Sequence, residues 1–149
     1  MKISTLIKRE YDYAVRICAY LAGQQAGNPI PISRIARLLQ ISKPFANKII
    51  FQLRKADIID TVQGRTGGIF LKPDAKQLSV FDILEAMGFD SVVNECLRNP
   101  TICPIIGFCK IHLFFGELQD LFVQKMKEKM ISELVIYDHE LETLTSFNC

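Results

Sequence analysis

The apolar positions of this chain fall into helical registers separated by short polar breaks. Ile7, Tyr11, Ala14, Cys18 and Leu21 recur at alternating steps of four and three, and Gly23 with Gly27-Asn28-Pro29 ends the run. That spacing keeps one face apolar and predicts a helix over 8–24. Cys18 lies on the stripe and reads as a core residue, whereas Asp12 lies on the polar side near the helix start, where an acid is favourable. A short second helix carries Ile35, Ala36, Leu38 and Leu39, with Ser33 as its expected cap. Ile41-Ser42-Lys43-Pro44 then makes a turn. A third helix, about 43–56, turns Ala46, Ile49, Ile50 and Leu53 inward and Lys43, Asn47, Lys48, Arg54 and Lys55 outward. Ser42 is its expected N-cap, and Pro44 falls in the first turn, where its missing N–H costs nothing.

The period then changes from helix to strand. Ile58-Ile59-Asp60-Thr61-Val62 and Gly68-Ile69-Phe70-Leu71 are β-prone runs on either side of Gln63-Gly64-Arg65-Thr66-Gly67, which predicts a hairpin closed by Pro73-Asp74. Ser79 caps a further helix with Phe81, Ile83, Leu84 and Met87 apolar, ending at Gly88. A long helix follows over about 110–130, with Phe114, Leu118, Leu121/Phe122 and Met126 on one stripe and Glu117, Asp120, Lys125 and Lys129 facing out. At about 1.5 Å per residue it is roughly 30 Å long. No remaining segment is large enough to cover it, so its expected cover is a twin across a two-fold axis. The tail from Ser132 to Leu144 reads as a shorter helix packing back. Residues from Ser146 onward are expected to fray, with Cys149 exposed and incidental.

Helix, turn, basic amphipathic helix and hairpin in that order make a winged helix-turn-helix. The expected fold is mainly α with a small β-hairpin wing and a long dimerisation helix. Residues 1–76 form the DNA-binding part, and residues 77–149 form the cysteine loop and dimerisation helices, packed on the first part as one structural unit. Charge sharpens this picture. Residues 1–76 hold 13 Lys/Arg against 5 Asp/Glu, a balance of +8, and residues 77–149 hold 5 against 11, a balance of −6. A basic front half fits double-stranded DNA. Ser42, Lys43, Phe45, Asn47 and Lys48, at the start of the third helix, are the candidates for the major groove, Asn47 because an amide pairs bidentately with adenine. In the wing, Arg65 can insert into a groove or bind phosphate, and the two tip glycines can let the backbone approach DNA closely. No apolar run nears the roughly 18 residues of a membrane span. The first twenty residues are too charged for a signal peptide, so the expected location is the cytoplasm.

The remaining chemistry lies between Cys96 and His112. Three of the five cysteines, Cys96, Cys103 and Cys109, fall within seventeen residues punctuated by Pro100, Pro104 and Gly107, in what reads as a loop. Thiolates are soft ligands for zinc, copper(I) or iron–sulfur clusters, and His112 adds a nitrogen three residues after Cys109. If a helix begins there, sulfur and imidazole share a face. Structural zinc favours tighter cysteine pairs, and reducing compartments disfavour a disulfide. Spacing alone therefore leaves a metal or cluster site, reactive redox thiols, or no chemistry.

Taken together, these features resemble the IscR/NsrR/RirA type of bacterial winged-helix regulator over nearly the whole chain. The marks are Tyr13-Ala14-Val15, Ile41-Ser42, Leu53-Arg54-Lys55, Gly64-Arg-Thr-Gly-Gly68-Ile-Phe-Leu71, the three cysteines, and Cys109-x-x-His112. The resemblance implies a homodimer, a repressor, that binds a palindromic operator under control of an iron–sulfur cluster sensing iron, redox state or nitric oxide. Such a cluster would be held by Cys96, Cys103 and Cys109. The fourth ligand stays open: His112 stands where IscR-like members place a histidine on a 2Fe–2S cluster, and Asp12 where NsrR-like members donate a carboxylate from the partner subunit to a 4Fe–4S cluster. Two departures bear on this. Gln63 stands where these regulators often carry Arg, and six residues rather than five separate the first two cysteines. The alternative is a cluster-free member that acts through redox thiols or binds a metabolic enzyme. No Ser/His/Asp set, metal-hydrolase motif or nucleotide loop marks the chain as an enzyme.

Overall fold

In the computed structural model, which describes residues 5–146, the first helix is the hub. This helix, α1 (Arg9–Ala22), buries Ala14, Ile17, Cys18, Tyr20 and Leu21. Each large aliphatic side chain so buried contributes about 1.5–3 kcal/mol. Cys18 is a core residue, and desolvation holds its thiol far above the usual range. Around α1 pack α2 (Ile32–Leu38), α3 (Lys43–Lys55) and an antiparallel hairpin of β1 (Ile59–Val62) and β2 (Gly68–Leu71). In the hairpin Ile59 faces Leu71 and Val62 faces Gly68.

The α2 start differs from the sequence expectation. It begins at Ile32 after Pro31, and Ser33 caps nothing. The reason is tertiary: Ile30 exchanges two backbone hydrogen bonds with Ile69, at 2.8 and 2.9 Å, which pins the chain to β2 just before the helix. Pro31 then supplies a preset helical φ. Gly68 is required by the same contact, because a Cβ there would collide with the Ile30 carbonyl. Ser42 does cap α3, accepting the Phe45 N–H at 3.3 Å.

The second half begins with α4 (Val80–Ala86), whose Ser79 and Asp82 form a reciprocal capping box. The cysteine segment is more regular than a loop: α5 (Glu95–Arg98) carries Cys96, capped by Asn94, and two 3-10 turns follow at Pro100–Ile102 and Ile106–Phe108. Then comes α6 (Lys110–Glu128). The expected single stripe of α6 divides in two. Phe122 and Met126 pack with Tyr11, Leu84 and Phe89, whereas Phe114, Leu118 and Leu121 face solvent. The tail helix also starts later than Ser132, as α7 (Asp138–Ser146). A 3-10 turn at Ile131–Glu133 precedes it, and residues 131–136 are held by tertiary backbone bonds, Ile131 N–H to Leu78 O at 2.8 Å, Ser132 N–H to Ala75 O at 3.0 Å and Ile136 N–H to Ala19 O at 3.2 Å. At the α7 start, Asp138 accepts from the Tyr20 hydroxyl at 2.7 Å and from Arg34 at 2.9 Å. Burial, reinforced by Asp138, pushes the Tyr20 phenol up to about 12. The expectations for Cys149 and for fraying of the last residues fall outside the described residues. No helix among the described residues is long and apolar enough to cross a membrane.

Candidate nucleic-acid interface and cysteine loop

Because α3 buries Ala46, Ile49, Ile50 and Leu53, the opposite face of the helix is free. At about 3.6 residues per turn, the exposed side chains follow one another around the axis. Lys43 and Arg54 lie toward the wing, Asn47 and Phe51 in the middle, and Lys48 and Phe45 toward α1. Lys43 and Arg54 line a cleft of about 440 Å³ together with Ser33, Thr61, Gln63 and Arg65. None of Lys43, Arg54 and Arg65 makes an ion pair among the described residues, so three uncompensated cations converge on one cleft. Such a cleft suits a phosphate backbone. Gly64 closes the wing tip with φ +109°, a conformation that favours glycine, while a Cβ on Gly67 would meet the Val62 carbonyl. Gly67 therefore serves the hairpin's own closure, and only Gly64 and its surroundings are open at the tip.

Two of the sequence candidates are engaged within the chain. Phe45 is half-buried, its ring edge-on to Tyr13 with centroids 5.7 Å apart. Lys48 is bonded to Glu10 of α1 at 3.0 Å, and that bond holds the Glu10 carboxyl below its usual range. Sequence reasoning missed Phe51, which is 60% exposed at the centre of the outward face with Lys55 over its ring. An exposed aromatic on the polar face of an amphipathic helix was the available signal.

In the cysteine segment, the Cys96 sulfur lies 3.3 Å from Nδ1 of His112, joining α5 to the first turn of α6. Cys109 is the α6 N-cap, and its sulfur accepts the His112 backbone N–H at 3.4 Å. The Cys96 sulfur thus meets the His112 imidazole, whereas the Cys109 sulfur meets the His112 backbone. Cys103 is half-buried between the two 3-10 turns, and among the described residues no three His, Cys, Asp or Glu side chains stand together as a metal-holding group. Asp12 pairs with Arg16 at 2.9 Å on the surface of α1. The donor chemistry, soft sulfur with one imidazole nitrogen, fits an iron–sulfur cluster.

Comparison with known proteins decides the family. The Rrf2 model, described as an iron-dependent transcriptional regulator, matches residues 7–136. The chain belongs to the Rrf2 family. A similar relative is the HTH-type transcriptional regulator NsrR of Shouchella clausii, 24% identical over 137 residues, covering 91% of this chain and 92% of that one. Among solved structures, CymR of B. subtilis, the global cysteine regulator, superposes with a TM-score of 0.67 at 21% identity, covering 99% of this chain and 98% of that one. IscR of T. potens superposes at 0.66 and 20% identity, covering 89% and 84%. Like its Rrf2 relatives this chain is a DNA-binding transcription regulator and not an enzyme, and its helices and hairpin form the winged-helix fold of that family.

Proposed function

We propose that this Rrf2 regulator is a homodimeric repressor whose hold on a palindromic operator is set by an iron–sulfur cluster in the Cys96–His112 segment. The observation that carries the reading is the 3.3 Å contact between the Cys96 sulfur and the His112 imidazole. It brings a soft sulfur and an imidazole nitrogen together at the junction of the cysteine segment and the long helix, which supports the reading of both as ligands. Cys96, Cys103, Cys109 and His112 would hold the cluster, and its binding would have to draw these side chains together, since no three of them stand together among the described residues. Asp12 of the second subunit is the other candidate for the fourth position. When bound, the cluster supplies a group that responds to iron supply, oxidation and nitric oxide.

The chain's own residues do the rest. The outward face of α3 offers Asn47 to base edges, with Ser42, Lys43 and Lys48 beside it, and the wing offers Gln63 and Arg65 to the adjoining backbone. The exposed apolar face of α6, from Ile111 through Phe114 and Leu118 to Leu121, would pair with its twin across a two-fold axis. Because the cysteine segment runs directly into that helix, ordering it would bias the angle between the two α3 helices. The half-sites they must meet lie about 34–36 Å apart.

A second reading is favoured by one observation. Cys96 and His112 already form a thiol–imidazole pair without Cys103, as a redox thiol regulator would require. Anaerobic purification separates the two. The cluster reading requires visible absorption with iron and sulfide in the protein, lost in Cys96→Ala, Cys103→Ala and Cys109→Ala alike. Colourless protein that takes up no iron and sulfide on reconstitution would leave the thiol reading.

A further inference from the structure

We propose that Arg9, on the first turn of α1, is a DNA-phosphate contact, with Tyr13 and Phe45 as the positioning residues that hold it beside α3. The inference rests on the reading of α3 as the groove-entering helix. The Arg9 guanidinium carbon lies 5.3 Å from the Tyr13 ring centroid and 5.1 Å from that of Phe45, within cation–π range of both. The two rings meet edge to face, so they form one shelf spanning α1 and α3. Ring contact attracts the charge and leaves the guanidinium N–H donors available for a phosphate.

The neighbouring charges single Arg9 out. Arg16, also over Tyr13, is bonded to Asp12 at 2.9 Å, and Glu10 is bonded to Lys48 at 3.0 Å. Arg9 is exposed and has no carboxylate partner among the described residues. A cation in the first turn of a helix opposes the macrodipole, so the charge is not there to stabilise α1.

Its position fits the groove. The major groove of B-DNA is about 12 Å wide and walled by two phosphate backbones. With Asn47 and Phe51 central on α3, the wing side, carrying Lys43, Arg54 and Arg65, serves one wall. Arg9, across Phe45 and Lys48 on the opposite flank, serves the other. Contacts to both walls fix the helix's register in the groove.

The test uses the full chain and a fluorescent duplex of arbitrary sequence several helical turns long, titrated over a salt series, with wild type, Arg9→Gln, Arg9→Lys and Phe45→Leu. Arg9→Gln should weaken binding about fivefold and lower the log–log salt slope by about 0.9 for each phosphate no longer neutralised. Arg9→Lys, which keeps the charge, should restore the slope. Phe45→Leu should weaken wild type while adding nothing to Arg9→Gln, because the shelf acts through Arg9. An Arg9→Gln slope equal to that of wild type, with an unchanged circular dichroism spectrum, would overturn the phosphate contact. An equal loss from Phe45→Leu in both backgrounds would overturn the positioning role. If wild type binds no duplex, the reading of α3 falls too, so the two failures are distinguishable.

Discussion

Leu121→Glu separates assembly from folding. Leu121 is 65% exposed in the single chain, so a glutamate there costs the isolated fold little. In a dimer built on α6 the same position is closed. Burying the exposed two-thirds of a leucine contributes about 1–2 kcal/mol, and two-fold symmetry counts it twice, so removal costs about 2–4 kcal/mol. A glutamate buried without a partner adds several kcal/mol more. Together these raise the dimer dissociation constant by roughly a thousandfold or more. Sedimentation equilibrium at micromolar concentration should give a dimer for wild type and a monomer for Leu121→Glu, whose thermal melt should stay cooperative and fall only by the loss of dimer linkage. Phe122→Glu is the control, because Phe122 lies beside Phe89, ring centroids 6.0 Å apart, and should lower the melting temperature. A Leu121→Glu protein that dimerises like wild type, or a monomeric wild type, would refute the assignment of this face.

Other predictions follow from the same contacts. Asn47→Ala should relax base preference at one operator position at a cost of about 1–3 kcal/mol, and unchanged preference in a binding selection would contradict it. Lys48→Ala should weaken all duplexes alike, and Glu10→Gln, which releases Lys48, should strengthen them, both read from salt titrations. Tyr20 sets an alkaline limit on stability. Its phenol is held at about 12 in the fold against 10.0 unfolded, so above pH 10 the unfolded chain loses a proton that the folded chain keeps. Stability from this group is complete below pH 10 and lost as pH rises toward 12. Urea midpoints for wild type should fall across that window and those of Tyr20→Phe should fall less. For the fourth ligand, His112→Ala should alter the visible spectrum of the reconstituted protein and Asp12→Ala should leave it unchanged; the reverse pattern would favour the carboxylate.

The elements legible from the sequence were those whose signal is local. The stripe of α1, the Ser42 cap, the α3 face and the wing hairpin all follow from periodicity and turn chemistry, and they sufficed for the fold. Three features escaped because they depend on distant partners. The stretch after Met130 is bonded to Leu78, Ala75 and Ala19, which limits the helical pattern expected from Ser132 to one 3-10 turn and delays the α-helix to Asp138. Phe122 and Met126 look like the continuation of the Phe114–Leu118 stripe, yet only contact with Tyr11, Leu84 and Phe89 tells them from the exposed face. The cysteine triplet was visible as spacing. That Cys96 reaches His112 depends on α5 and the two 3-10 turns, whose short segments carry almost no periodicity.

The most direct test of the central claim is the affinity of one operator duplex, selected from a random library by the native protein, for cluster-loaded and cluster-free wild type under anaerobic conditions. Cys103→Ala protein, carried through the same reconstitution, serves as the control. A cluster that gates DNA binding predicts a difference of at least tenfold, about 1.4 kcal/mol, between the two wild-type forms, with Cys103→Ala behaving as the cluster-free form after either treatment. Equal affinity of loaded and cluster-free wild type would contradict it, whatever metal the segment holds.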